Sequence, residues 1–159
     1  MKYLALTLIG ALAVSAGATM LVAEGHADER ALKGAIKARQ AHMSLYSHNL
    51  GILGAIAKGD VAYDAASAQA AADNLAAIAT LSQAGYWLPG TDSDSMEGTR
   101  ALPAIWAADS KAQTYGMEMA EAALAMQAAA GTDLAALQAA MGAVGNGCKS
   151  CHEDYRKPQ

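Results

Sequence analysis

From Leu134 to Tyr155 the sequence carries a stripe that steps by three or four throughout: Leu134, Leu137, Met141, Val144, Cys148, Cys151 and Tyr155. That spacing puts all of these residues on one face of a helix, so the fold must bury two thiols along with the apolar side chains. The residue after the second thiol is His152. Two thiols three apart, followed at once by a histidine, form the attachment signature of a c-type haem. The thiols add to the two vinyl groups on one edge of the porphyrin, and the adjacent imidazole ligates the iron. One helical face presents all three groups, because i, i+3 and i+4 are neighbours there.

Other uses of a cysteine pair fit badly. A redox dithiol belongs at the start of a helix that follows a strand, whereas this pair lies near the end of a helical stretch and no strand pattern accompanies it. A structural zinc site needs four ligands. The chain has only 2 Cys, and His26, His42 and His48 lie far away with no finger-like spacing. A disulfide between Cys148 and Cys151 would close a tiny loop and stabilise little.

Composition points to helices. The 159 residues are 53% hydrophobic and rich in alanine, with no Phe and only 3 Pro. The formal net charge is -4 and no basic stripe is present, which argues against a nucleic-acid partner. The length suits one domain over 24–159, preceded by an export signal over 1–23. Lys2 gives the positive start, Tyr3–Val14 the apolar stretch, and Ser15-Ala16-Gly17-Ala18 the small residues before cleavage. Cleavage after Ala18, Ala23 or Ala27 fits, and the uncharged run from Tyr3 to Ala23 also suits a retained anchor. Either way the domain is delivered outside the cytoplasm, with the periplasm of a Gram-negative bacterium as the expected compartment and no membrane contact once the signal is removed.

Turn residues divide the rest into four helices. The first runs from about Asp28 to Lys58 and stops at Gly59, with Ile36, Met43, Leu50 and Ala57 as its inward stripe, joined by Gln40, Ser47 and Gly54. The second is capped by Asp64 and reaches about Ala84. An irregular segment spans Gly85–Leu102; Pro103 then opens a third helix that ends at Gly131, and Thr132 or Asp133 caps the fourth. The expected fold is all-α, an antiparallel up-and-down four-helix bundle with haem attached against its interior. Gly142, Gly145 and Gly147 suit a helix that must leave room for a flat porphyrin.

With these features the sequence resembles the class II cytochromes c, the cytochrome c-prime family, over about Ala31–Lys157. Beyond the haem motif, the resemblance rests on Arg39-Gln40, Tyr63-Asp64-Ala65-Ala66 and Pro89-Gly90-Thr91. Pro103-Ala104-Ile105-Trp106 and Tyr155-Arg156-Lys157 complete it. It implies one haem c held by thioethers at Cys148 and Cys151, with His152 as the iron ligand. It further implies that Arg39 and Gln40 lie by the haem propionates, that Thr99 and Arg100 approach a propionate, and that Arg156 lies one turn beyond His152.

The family divides on the sixth iron position. Met43 stands where members of the cytochrome c-556 type have a methionine ligand, so the resemblance favours a low-spin, six-coordinate His/Met site. His42 and His48 are expected at the surface. A site with both axial positions filled suits one-electron transfer without substrate turnover, in exchange with redox proteins of a respiratory or photosynthetic chain. The alternative is a five-coordinate haem that binds nitric oxide or carbon monoxide, with Met43 as packing only. The Ala-rich faces of the first two helices also permit a homodimer.

Overall fold

The computed structural model describes residues 16–158, with side chains from Asp28 onward. The chain divides into two units, Met1–Ala31 and Leu32–Gln159. The expected signal lies outside the described residues as far as position 15, and helix is present from Ala16. The second unit contains the bundle and the site.

Four helices account for the architecture: α1 (Ala16–Lys58), α2 (Ala65–Thr80), α3 (Ala112–Ala129) and α4 (Leu134–Tyr155). Their ends follow local chemistry. Gly59, at a φ of 80°, closes α1; its N–H bonds to Ile56 O at 3.1 Å while that of Asp60 reaches Ala55 O at 3.0 Å. Asp64 caps α2 by accepting from Ser67 N, and Asp133 caps α4 by accepting from Ala136 N, both at 2.8 Å. α3 packs against both α2 and α4. The core joins Leu53 and Ile56 of α1, Ala72 and Leu75 of α2, Ala123 and Met126 of α3, and Leu137 and Val144 of α4.

The stripe on α4 behaves as expected. Leu137, Val144 and Tyr155 are buried, with Leu134, Met141, Cys148 and Cys151 half-buried between them. The glycines differ from expectation. A Cβ on Gly147 would come within 3.2 Å of Met119 Cα and Sδ, whereas Gly142 and Gly145 face open space. Gly147 therefore serves the close approach of α3 to α4.

Three boundaries or faces need correcting. Pro103 opens a single 3-10 turn, Pro103–Trp106, and α3 starts only at Ala112. There Lys111 N donates to Tyr155 Oη at 2.7 Å, a tertiary contact that sets the register. α2 ends at Thr80, short of Ala84, where Leu81 turns extended. On α1 the buried row is Ala35, Ile36, Arg39, His42, Asn49, Leu53 and Ile56. Ile36 lies in it, but Met43 is 37% exposed and Gln40 and Ser47 face outward. The centre of that face is polar, so apolar recurrence placed it about one residue too far along.

Candidate haem site

The two thiols stand one turn apart on α4, both free and half-buried. Burial pushes both upward from their ordinary pKa, which keeps them protonated. His152 follows on the same helix, with its side chain exposed. Desolvation, then Arg156 and Arg100, lower its pKa. Arg156 Nη1 lies 3.4 Å from His152 Nδ1. The two guanidinium charges thus favour a neutral imidazole, the form that ligates a metal. Arg156 sits one turn beyond His152, where the resemblance implies.

The end of α4 is fastened to the segment before the 3-10 turn. Ala101 and Arg156 form an isolated antiparallel bridge. Leu102 N donates to Tyr155 O at 2.9 Å and Lys157 N to Arg100 O at 2.8 Å. Arg100 reinforces the bridge, its Nε and Nη2 donating to Lys157 O at 2.8 and 2.5 Å. Arg100, expected near a propionate, thus grips the chain beyond His152.

Arg39, expected by a propionate, is held by the segment that follows α2. It is 4% exposed. Its Nη1 donates to Thr91 Oγ1 at 2.6 Å and to Tyr86 O at 3.3 Å. Nη2 donates to Thr99 Oγ1 at 2.7 Å and to Thr91 O. The guanidinium lies 5.0 Å from the Trp87 ring centroid and 5.9 Å from that of Trp106. Burial lowers its pKa, and nearby Asp92 opposes that shift. Both terminal nitrogens are engaged, so Arg39 organises the 86–99 segment. Gln40 assists by donating to Gly98 O at 2.5 Å. Thr99, also expected near a propionate, is the acceptor for Arg39.

The α1 wall brings another reversal. His42, expected at the surface, is 3% exposed, while Met43 lies outside the buried row. The His42 ring meets Tyr46 edge-on at 4.9 Å and Tyr86 at 6.0 Å. Its Nε2 is buried without a hydrogen-bond partner. Tyr46 is pushed up to about 12, by burial first and then by Cys148, and both side chains pack against the same buried core. His42, Tyr46 and Tyr86 were missed from sequence, although His42 follows Arg39 by three and precedes Tyr46 by four, the spacing of one helical face.

These residues fit a haem. Two thiols share a helical face with an imidazole whose neutral form is favoured. Among the described residues no three His, Cys, Asp or Glu side chains gather to hold a bare ion. A single imidazole therefore suits an iron whose equatorial ligands come from a porphyrin.

The model of the family described as Cytochrome C' matches residues 34–156. The chain belongs to that family. Cytochrome c-554 of Cereibacter sphaeroides is 44% identical over 130 residues, which cover 82% of this chain and 98% of the relative. The solved cytochrome c' from Rhodobacter spheriodes superposes with a TM-score of 0.78 at 39% identity, covering 80% of this chain and 98% of its own. A ferrous variant of cytochrome c prime from Alcaligenes xylosoxidans with bound NO superposes with a TM-score of 0.70 at 32% identity, covering 80% and 97%. Like other members of the cytochrome c' family, this protein is a haem protein with a four-helix bundle, and its two cysteines account for one covalent haem c. The expected six-coordinate His/Met site finds no support in these likenesses to cytochrome c'.

Proposed function

We propose that this cytochrome is exported to the periplasm and holds a five-coordinate haem that takes up nitric oxide or carbon monoxide on the face opposite His152. The observation that carries this reading is the match to the family described as Cytochrome C' over residues 34–156, with relatives named cytochrome c' at 41% and 33% identity. The NO-bound relative adds weight, since its fold aligns over 80% of this chain. When bound, the haem supplies one-electron chemistry and an iron that accepts a diatomic ligand.

The protein's own residues divide the remaining work. Cys148 and Cys151 tether the porphyrin edge to α4, and His152 ligates the iron. Arg156 and Arg100 keep that imidazole neutral, and Arg100 also restrains the backbone beyond it. Arg39 and Gln40 hold the 86–99 segment closed against α1, which limits water at the site. No substrate is transformed; redox proteins that reduce the iron are the partners this chemistry requires. Pairing of two copies through α1 and the link to α2 is supported by the exposed apolar side chains Leu45 and Val61. Among the described residues no helix is long and apolar enough to cross a membrane.

The ferric absorption spectrum and CO titration of the reduced protein test the reading. High-spin ferric bands and ready CO binding are expected, and Met43→Leu should leave both unchanged. A methionine-to-iron charge-transfer band that disappears in Met43→Leu would restore six-coordination.

A further inference from the structure

The chain as a whole is acidic, with 15 Asp and Glu against 11 Lys and Arg. The end of α4 reverses that sign. Arg156 Nη1 lies 3.4 Å from His152 Nδ1, and the head group of Arg100 donates to Lys157 O at 2.8 and 2.5 Å. Arg156 also pairs through its backbone with Ala101, the neighbour of Arg100. The fold therefore gathers Arg100, Arg156 and Lys157 beside the haem ligand. Arg156 and Lys157 are exposed, and Arg100 is half-buried.

Acids close by in the sequence do not cancel these cations. Glu153 pairs with Lys149 at 3.6 Å, both side chains standing well out in solvent. Asp154 accepts from Tyr115 Oη at 2.8 Å. Among the described residues no carboxylate lies within ion-pairing distance of Arg100, Arg156 or Lys157. Three like charges held together repel one another, and no ion pair inside the molecule offsets that repulsion. The cluster therefore gains from negative charge presented from outside.

We propose that Arg100, Arg156 and Lys157 form the docking surface for the redox partner, and that the partner is a protein presenting a cluster of carboxylates there. The inference rests on a haem tethered at Cys148 and Cys151 that exchanges electrons with another protein; it does not depend on the sixth iron position. The surface adjoins His152, so a partner seated on it approaches from the side of the ligating imidazole. A local field opposite in sign to the net charge steers an acidic protein to this end of the bundle and away from the rest of the surface.

The test oxidises the ferrous holoprotein in stopped flow with ferricyanide, an anion, and with tris(phenanthroline)cobalt(III), a cation. In each case one electron leaves the haem iron and reduces the metal complex. Between about 10 mM and about 200 mM salt, the ferricyanide reaction should slow by about threefold to tenfold while the cobalt reaction accelerates. The net charge of -4 alone dictates the opposite signs. Lys157→Glu should flatten the ferricyanide dependence, and it leaves the bonds of the Lys157 backbone to Arg100 in place. Lys58→Glu makes the same change in net charge at the far end of the bundle, where Ala57 O accepts from Gln138 Nε2 at 2.8 Å, and should behave as wild type. A dye-labelled decaglutamate peptide, followed by fluorescence anisotropy, should bind Lys157→Glu about threefold to tenfold more weakly than Lys58→Glu. A ferricyanide reaction that speeds up with salt, or equal effects of the two variants, overturns the docking surface and leaves the haem reading intact. A purified protein without a haem that ferricyanide can oxidise overturns both.

Discussion

Replacing Arg39 by alanine removes four hydrogen bonds and a cation held against two indole rings in one step. Each bond from a charged donor is worth about 1.5–3 kcal/mol in isolation, and each ring contact about 0.5–2 kcal/mol. The contributions do not add, because Tyr86, Thr91, Trp87 and Thr99 belong to one segment that relaxes as a unit. The cost of burying the guanidinium also disappears with it. A net loss of about 3–5 kcal/mol follows, the range seen when one partner of a buried charged network is deleted. At about 2–4 °C per kcal/mol this lowers the melting temperature by roughly 10 °C. The 2 Trp of the chain, Trp87 in this segment and Trp106 in the 3-10 turn after it, both lie against Arg39, so near-UV circular dichroism reports on this region while far-UV signal reports on the helices. In urea, the near-UV transition of Arg39→Ala should precede the far-UV one. Arg39→Lys should fall between, since an ammonium cannot span the acceptors that two guanidinium nitrogens reach. A loss below about 1 kcal/mol, or a lysine variant equal to wild type, would refute the assignment of Arg39 as the holder of the segment.

Two further outcomes are expected. Gly147→Ala should destabilise the bundle by about 1–3 kcal/mol because its methyl meets Met119 backbone at 3.2 Å, whereas Gly145→Ala, facing open space, should stabilise by about 0.5–1 kcal/mol; thermal unfolding of the pair decides it, and equal shifts would be contrary. His42 has a pKa lowered from 6.5 by burial, so the unfolded chain binds the proton more readily than the native one. Its contribution is complete above that pH and is lost as pH falls below about 6.5. His42→Leu should therefore gain stability relative to wild type between about pH 7 and pH 5, and a gap that does not vary with pH in urea titrations would contradict this.

What could be read from the sequence was local. Asp64 and Asp133 cap helices as their residue type predicts, and the α4 stripe needs only the spacing of its own side chains. The thiols and His152 are legible for the same reason. The inner face of α1 was not, because Arg39 is buried by acceptors 47 to 60 residues away. Hydropathy ranks Met43 above His42, and nothing local shows that Tyr86 and the folded 86–99 segment will cover the histidine. The start of α3 was misplaced similarly. Pro103 is a sound first-turn residue, but the helix forms where Tyr155 receives Lys111 N. The resemblance assigned Arg100 a role at the haem, but nothing local shows that it also holds a backbone carbonyl at the far end of the chain.

Residues 86–102 form a belt with two buckles, one closed by the guanidinium on α1 and the other by the short bridge at the tail of α4. Tension applied at either buckle is felt at the other, because the stretch between them is pinned at both ends. A pull on the tail of α4 therefore reaches α1 along this backbone, so the first and last helices are mechanically joined by a stretch that belongs to neither.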